Sequence, residues 1–184
     1  RNMERIGEVA AYELSKHLVY TDKSVETPLG EAQVSDLECI PVVATILRAG
    51  LPMHQGILNY FDRADNAFIA AYRKHHRDGS FEIEQHYVTC PDIGGRPLII
   101  ADPMIASGSS LVLALKSLTE EQKPTQIHVV SAIACTVGIE LIKRKFPEAY
   151  VWAGAIDDEL TARGYIVPGL GDAGDLSFGE KNQS

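Results

Sequence analysis

The sequence predicts an α/β fold with a mostly parallel central sheet flanked by helices. Three observations lead there. Apolar runs of strand length alternate with amphipathic helical stripes along most of the chain. The runs VVATIL (42–47), RPLIIAD (96–102) and IHVVSAIAC (127–135) are nearly continuous in apolar residues, as strands covered on both faces must be. No repeat, low-complexity tract or linker breaks the series, so residues 1–184 read as a single domain.

Each element has its own signal. Residues 3–18 place Met3, Ile6, Ala10, Leu14 and Leu18 on one helical stripe. The strand over 42–47 is followed by a helix over 50–60, and NAFIAAYR (66–73) predicts the next strand. FEIEQHYVTC (81–90) sets Phe81, Ile83, Gln85 and Tyr87 in alternation, the pattern of a half-exposed strand or hairpin. Gly94 and Gly95 make a turn into the 96–102 strand. From Ser109 a helix carries Leu111, Leu115 and Leu118 on one face. The 127–135 strand precedes a helix striped by Ile139, Ile142 and Phe146, which Pro147 helps to stop. YVWAGAI (150–156) is the last strand, with Trp152 expected in the core. From Gly164 onward the chain is glycine-rich and irregular.

Composition narrows the function classes. The chain has 184 residues, 45% hydrophobic and 23% charged, which excludes a disordered polymer. Its net charge of −8 argues against non-specific nucleic-acid binding, which needs a basic face. No apolar run approaches the ~20 residues that span a bilayer, and no secretory signal pattern is present, so a cytoplasmic location without membrane contact is expected. The sequence opens on Arg1 rather than Met, so residues upstream are expected. Cys39, Cys90 and Cys135 are an odd number, far apart and without metal-ligand spacing; reduced, buried thiols are the expectation.

In parallel sheets ligands bind beyond the carboxyl ends of the strands, so the chemistry should follow them. After the 96–101 strand comes Asp102-Pro103-Met104-Ile105-Ala106-Ser107-Gly108-Ser109-Ser110, then a helix. A helix N-terminus offers unpaired amides and partial positive charge; small side chains let a phosphate approach, and three serines add donors. Asp102 stands where it could accept from sugar hydroxyls. The plainer alternative is a helix N-cap, but a cap needs only one such residue. The segment lacks the Gly-Lys-Ser/Thr of a P-loop and the spaced glycines of a dinucleotide fingerprint. Arg48 and Arg73 stand at two further strand ends, and their planar donor forks suit a second anionic group such as pyrophosphate. Either alone reads as a solvated charge; together they face the crevice of the cradle. The stretch from Gly164 to Asp175 forces an irregular backbone whose amides and carbonyls can read the edge of a flat heterocycle. Asp172 and Asp175 could accept from hydroxyls or hold a divalent cation.

ILRAGL (46–51), ADPMIASGSS (101–110) and GYIVPGLGDAGD (164–175) resemble the signatures of uracil phosphoribosyltransferases, and the last is the most specific. The resemblance runs in order from the first helix to Phe178. It implies the type I phosphoribosyltransferase fold, with a β-hairpin cover, for which 81–90 is the candidate, and an irregular C-terminal base-binding loop. It implies transfer of phosphoribose from 5-phospho-α-D-ribose 1-diphosphate (PRPP) to uracil, giving UMP and diphosphate in pyrimidine salvage. By the same resemblance Arg48, Arg73, Asp102 to Ser110 and Asp172 bind PRPP. Ile166, Gly171, Asp172 and Ala173 read uracil, and Asp102, Arg73 and Asp172 are the residues expected to carry catalysis. Mg²⁺ is implied through the PRPP diphosphate, with no protein metal site. A homo-oligomer, dimer or tetramer, and a GTP effector are implied as partners. Family members also carry a segment ahead of the first helix, with roles in subunit contacts and, in some, GTP regulation.

Three departures from the family pattern matter. Ser107 replaces Thr and keeps the hydroxyl. Ser109 replaces Gly; a positive φ there would cost roughly 1–2 kcal/mol, so Ser109 is expected to open the helix with ordinary dihedrals. Lys74, His75, His76 and Arg77 stand where acidic or amide residues are usual, and read as a solvated basic turn. Two alternatives stay in view. A transferase for another base would usually carry two adjacent acids at the PRPP loop, whereas Pro103 follows Asp102. A nucleotide-sensing, RNA-binding regulator on this fold would want a basic stripe.

Overall fold

The computed structural model describes residues 1–75 and 81–180, with the side chains of 71–75 and 81–86 outside that description. Helix α1 (Asn2–Ser15) opens the chain, followed by a hairpin of β1 (Tyr20–Thr27) and β2 (Gly30–Leu37). The main sheet is built from β3 (Val42–Leu47), β4 (Asp65–His75), β5 (Phe81–Thr89), β6 (Pro97–Ala101), β7 (Met104–Ile105), β8 (Gln126–Cys135) and β9 (Tyr150–Asp157). The helices α2 (Leu51–Tyr60), α3 (Ser109–Thr119) and α4 (Thr136–Lys145) connect its strands. The short pair β10 (Glu159–Leu160) and β11 (Ile166–Val167) and the helix α5 (Ala173–Phe178) end it.

β3 pairs in parallel with β4 on one side and β6 on the other, and β6 pairs in parallel with β8. β9 lies along the far side of β8, also parallel. The two-residue β7 pairs with Ile133 and Ala134, so it continues the line of β6 past a break at Asp102 and Pro103. That break stays attached: the Asp102 amide donates to the Val130 carbonyl at 3.0 Å, and the Ala132 and Ile133 amides to that of Pro103, both at 3.1 Å. β5 alone is antiparallel, hydrogen-bonded to β4. The strand reading of 81–90 therefore holds, with the connecting residues 76–80, which include His76 and Arg77, outside the described residues.

The apolar runs become strands because burial on both faces rewards them. Val42, Val43 and Ala44 of β3, and Leu98, Ile99, Ile100 and Ala101 of β6, are all fully buried. One layer of core lies under α3 and α4, with Leu111, Leu115, Leu118 and Ile142 against β3, β4, β6 and β8. The other lies under α1 and α2, with Ala11, Leu14, Met53 and Ile57 against the opposite face. These two helices touch backbone to backbone: a Cβ at Gly56 would collide with the Glu4 carbonyl, and would come within 3.0 Å of the Glu8 amide nitrogen. Asn59 secures the crossing through Glu4 and Glu8, donating at 3.3 and 2.8 Å.

Three expectations need correction, and one element carries no signal in the sequence. The first helix ends at Ser15, not 18; Leu18 is still buried, carried by the turn after the helix. The hairpin β1–β2 had no assignment, because nearly all its residues are exposed and its apolar positions mark no core face. Ion pairs hold it instead, with Asp36 meeting Lys23 at 3.0 Å and Arg63 at 2.9 Å. β9 is a strand as expected but lies at the sheet edge, so Tyr150 and Ile156 are exposed and Trp152, expected in the core, packs against it only partly buried. Of the three thiols only Cys135 is buried; Cys90 is exposed, since it follows the end of β5 in a surface connection.

Candidate functional site

Three loops converge beyond the carboxyl ends of β3, β6 and β8. The first runs from Leu47 to Gly50, between β3 and α2, with a cis Leu47–Arg48 peptide. Gly50 fits this corner because a Cβ there would strike Thr45 Oγ1 and come within 2.8 Å of the Ala101 carbonyl. Thr45 Oγ1 itself donates to that carbonyl at 3.2 Å, tying the ends of β3 and β6 together. Arg48 is thereby held next to the exit of β6.

The second loop is Asp102–Ser110. Asp102 Oδ1 accepts from the Met104 amide at 3.4 Å, a tight turn that lets β7 resume the sheet. Gly108 then takes φ +78°, a left-handed conformation open to glycine at little cost, and α3 begins at Ser109. Ser109 opens the helix as expected: no described residue other than glycine has a positive φ. The N-cap position is Gly108, with no side-chain cap bond. The serines are thus not spent on capping in the ordinary way. Ser107 Oγ lies 3.2 Å from Ser109 Oγ and accepts weakly from the Ser109 amide at 3.4 Å. A polar depression follows the turn, lined by Asp102 and Met104–Leu111, and the first-turn amides of α3 open on it.

The third loop is the tail. β11 pairs with β10, and Gly169 donates its amide to Asp157 Oδ2 at 3.0 Å, anchoring the bend after the cis Val167–Pro168 peptide. Gly171 has φ +81°. Asp172 then caps α5, its Oδ1 accepting from the Asp175 amide at 3.0 Å. Ile166 and Ala173 are each 3% exposed, so their backbones are fixed by burial rather than left loose.

These loops share one small core. Ile166, Leu160 and Leu170 of the tail pack with Met104 and Ala106 of the second loop around Ile133 and Cys135 at the end of β8. The first loop meets the tail through charge: Arg48 Nη2 is 4.0 Å from Asp175 Oδ1, and its guanidinium lies 5.7 Å from the Phe178 ring. That Asp175 oxygen is buried and has no hydrogen bond. The structure therefore brings together Arg48, Asp102–Ser110, Ile166 and Gly171–Ala173. Arg73 lies near the end of β4, two residues before its limit at His75, and its side chain is outside the described residues.

Sequence reasoning missed Gly50 as the joint of the first loop, and Asp175 and Phe178 as neighbours of Arg48. It also passed over Gly138, against which Gly108 packs. A lone glycine one to three residues after an apolar strand is the signal that could have found Gly50 and Gly138. Nothing in the spacing of the tail announces that Asp175 faces Arg48. Among the described residues no group of three His, Cys, Asp or Glu is placed to hold a metal ion.

With that geometry in view, the relatives can be placed. The chain matches the uracil phosphoribosyltransferase family over residues 1–180. It belongs to that family. The uracil phosphoribosyltransferase of Porphyromonas gingivalis is 50% identical over 98% of this chain and 84% of its own length. That of Thermococcus gammatolerans is 37% identical over 97% of this chain and 80% of its own. The solved AQ2163 protein of Aquifex aeolicus superposes with a TM-score of 0.89 at 31% identity, covering 98% of this chain and 86% of its own. The adenine phosphoribosyltransferase of Trypanosoma brucei superposes at 0.54 with 12% identity, covering 84% of this chain and 82% of its own, which shows a shared fold. The sheet, helices and order are those of type I phosphoribosyltransferases.

Proposed function

We propose that the chain transfers phosphoribose from PRPP to uracil, releasing diphosphate and forming UMP, as a step of pyrimidine salvage in the cytoplasm. The observation that carries this is the shared core of Met104, Ala106, Ile166 and Leu170. It sets an anion-binding turn beside a rigid, glycine-bent backbone, as a transferase joining a sugar phosphate to a base requires. No described helix is long and apolar enough to cross a membrane.

In this reading the amides of Ala106–Ser110 hold the 5′-phosphate, and Asp102 meets the ribose hydroxyls. Arg48 and Arg73 take the diphosphate, where guanidinium forks match its oxygens. The main chain at Ile166 and Gly171–Ala173 reads the keto and imide edge of uracil, with Asp172 also next to PRPP. The N1–C1′ bond forms, the C1′–O bond to diphosphate breaks, and the N1 proton is released. Positive character grows on the ribose and negative charge on the leaving group, so positioning and charge stabilisation suffice without a protein nucleophile. The β4–β5 hairpin is the proposed cover that excludes competing water.

Mg²⁺ fits this donor set in a limited way. It usually keeps waters and binds substrate phosphates with one or two carboxylates, not an all-protein cage. Asp102 and Asp172 flank the two loops, and the ion would neutralise the diphosphate. A homo-oligomer, dimer or tetramer, is part of the proposal, supported by Tyr150 and Ile156 left exposed on the edge strand β9.

The test is direct. Labelled uracil, PRPP and Mg²⁺ incubated with the protein should yield UMP, and adenine, hypoxanthine or orotate should not be consumed. No UMP, with another base turned over, overturns the uracil assignment. No turnover of any base overturns the enzyme reading and favours a non-catalytic nucleotide binder.

A further inference from the structure

We infer that Gly138, in the first turn of α4, is a positioning residue for the Ala106–Ser110 loop. This rests on the reading of that loop as the 5′-phosphate cradle. The two glycines that meet here are complementary. A Cβ at Gly108 would lie 2.8 Å from the Gly138 carbonyl oxygen and 3.1 Å from its Cα. A Cβ at Gly138 would lie 2.5 Å from the Ala106 carbonyl oxygen, 2.8 Å from Ile105 Cγ2 and 3.2 Å from the Gly108 nitrogen. Heavy atoms in real proteins do not sit that close, so a side chain at 138 must push something aside.

What gives way is determined by burial. Ile105 is 1% exposed and locked by the pairing of β7 with Ile133 and Ala134. Gly138 is itself buried in α4, whose start is fixed by Cys135 at the end of β8. Ala106 and Ser107 are only partly buried and carry the loop. The loop therefore moves, away from α4 and toward the depression where the phosphate would lie. Gly138 touches no ligand. It acts by letting the Ala106–Gly108 peptides rest on a helix turn, so that the amides are aimed before ligand arrives. A displacement below 1 Å is enough to spoil such aim, because hydrogen bonds weaken steeply with distance and angle.

The consequence is specific to one end of PRPP. Gly138→Ala should weaken ligands that carry a 5′-phosphate and spare those that do not. Ribose 5-phosphate and pyrophosphate, titrated calorimetrically into the folded protein, separate these ends. We expect ribose 5-phosphate to bind Gly138→Ala about tenfold or more weakly, with pyrophosphate changed by less than about twofold. In steady state the KM for PRPP should rise while the KM for uracil holds. Gly56→Ala is the control, since its Cβ would collide with the Glu4 carbonyl in the α1–α2 crossing, away from the loop. It should leave both titrations within about twofold of the parent. Wild-type binding by Gly138→Ala, or equal losses in the folded fraction of Gly56→Ala, overturns the inference. If Gly138→Ala does not fold, Val137→Gly loosens the same helix turn from an exposed position, and unchanged ribose 5-phosphate binding there overturns it equally. Amide shifts of Ala106–Ser110 on adding ribose 5-phosphate to the unmodified protein distinguish the two levels. If those amides do not respond, the cradle reading fails and takes this inference with it; if they respond and the variants bind normally, only the role of Gly138 falls.

Discussion

Single side chains at this site act through charge delivered to a fixed point. Arg48 sits on a corner that Gly50 makes possible, and its guanidinium lies beside Asp175 and Phe178 of the tail. Charge-assisted hydrogen bonds contribute about 1.5–3 kcal/mol, so Arg48→Ala should raise the KM for PRPP by roughly tenfold to a hundredfold. The KM for uracil should stay near that of the parent. Arg73→Ala is expected to behave in the same way, and equal loss of both substrates in either variant would show its role is misassigned. Asp102→Asn removes a charge while keeping an oxygen that can accept from the Met104 amide, so the turn survives. Turnover should fall by roughly tenfold to a hundredfold with an unaltered circular dichroism spectrum. An unchanged rate would make Asp102 a structural residue only. Arg48 and Asp102 stand out as candidates in the sequence because each follows an apolar strand. Gly50 and Gly138 carry only a positional signal, a glycine soon after an apolar strand; the neighbour each makes room for is known only from the fold.

Elements were legible in proportion to their burial. β3, β6 and β8 announce themselves because both faces are covered and most of their residues are apolar. The β1–β2 hairpin has no covered face, so its pattern carries no signal; only its turn, where Thr27 Oγ1 donates to the Gly30 carbonyl at 2.7 Å, has local logic. Trp152 in β9 misled in the other direction, since an apolar strand looks buried whether or not a neighbour covers it. The α1–α2 pair shows the same limit for helices. Its contact is made by Gly56 against the backbone at Glu4 and Glu8, which an apolar stripe does not mark. Overpacking costs typically 1–3 kcal/mol, so Gly56→Ala should lower stability by about that amount in urea unfolding. PRPP binding should persist in the folded fraction, because this helix pair does not enter the site. A neutral Gly56→Ala would mean that the helices separate without cost.

At the scale of the molecule, an aromatic network around buried His128 joins the turn after α1 to β8 and β9 near the start of the strands, far from the chemistry. Trp152 Nε1 donates to His128 Nδ1 at 3.1 Å, and His128 Nε2 lies 3.1 Å from Gln126 Oε1, so the neutral imidazole satisfies both. His17 closes over Trp152 at 5.0 Å between ring centroids. Burial, with His17 nearby, pushes the His128 pKa down to about 4. An unfolded histidine titrates near 6.5, so between these values the unfolded chain binds a proton that the folded one refuses. Stability is therefore full above about pH 6.5 and is lost as pH falls toward about 4, by about 2 kcal/mol between about pH 7 and about pH 5. Burial lowers the pKa of His54 as well, adding in the same direction. His128→Gln should unfold in urea with a smaller difference between those two pH values; an equal difference would show that His128 does not carry the dependence.

The chain's own order of residues determined the alternation of strands and helices, the covered sheet, and the three loops whose motifs mark the family. These depend on neighbours within a few positions, where the period of apolar residues and the chemistry of turns act. Only the tertiary structure decided that Ile166 and Ala106 share a core, that Asp175 faces Arg48, and that Gly138 backs Gly108. Those partners lie tens of residues or more apart, and their contacts exist only because the strands deliver the loops to one end of the sheet. Local chemistry chooses the elements; close packing between distant elements sets the positions on which the site depends.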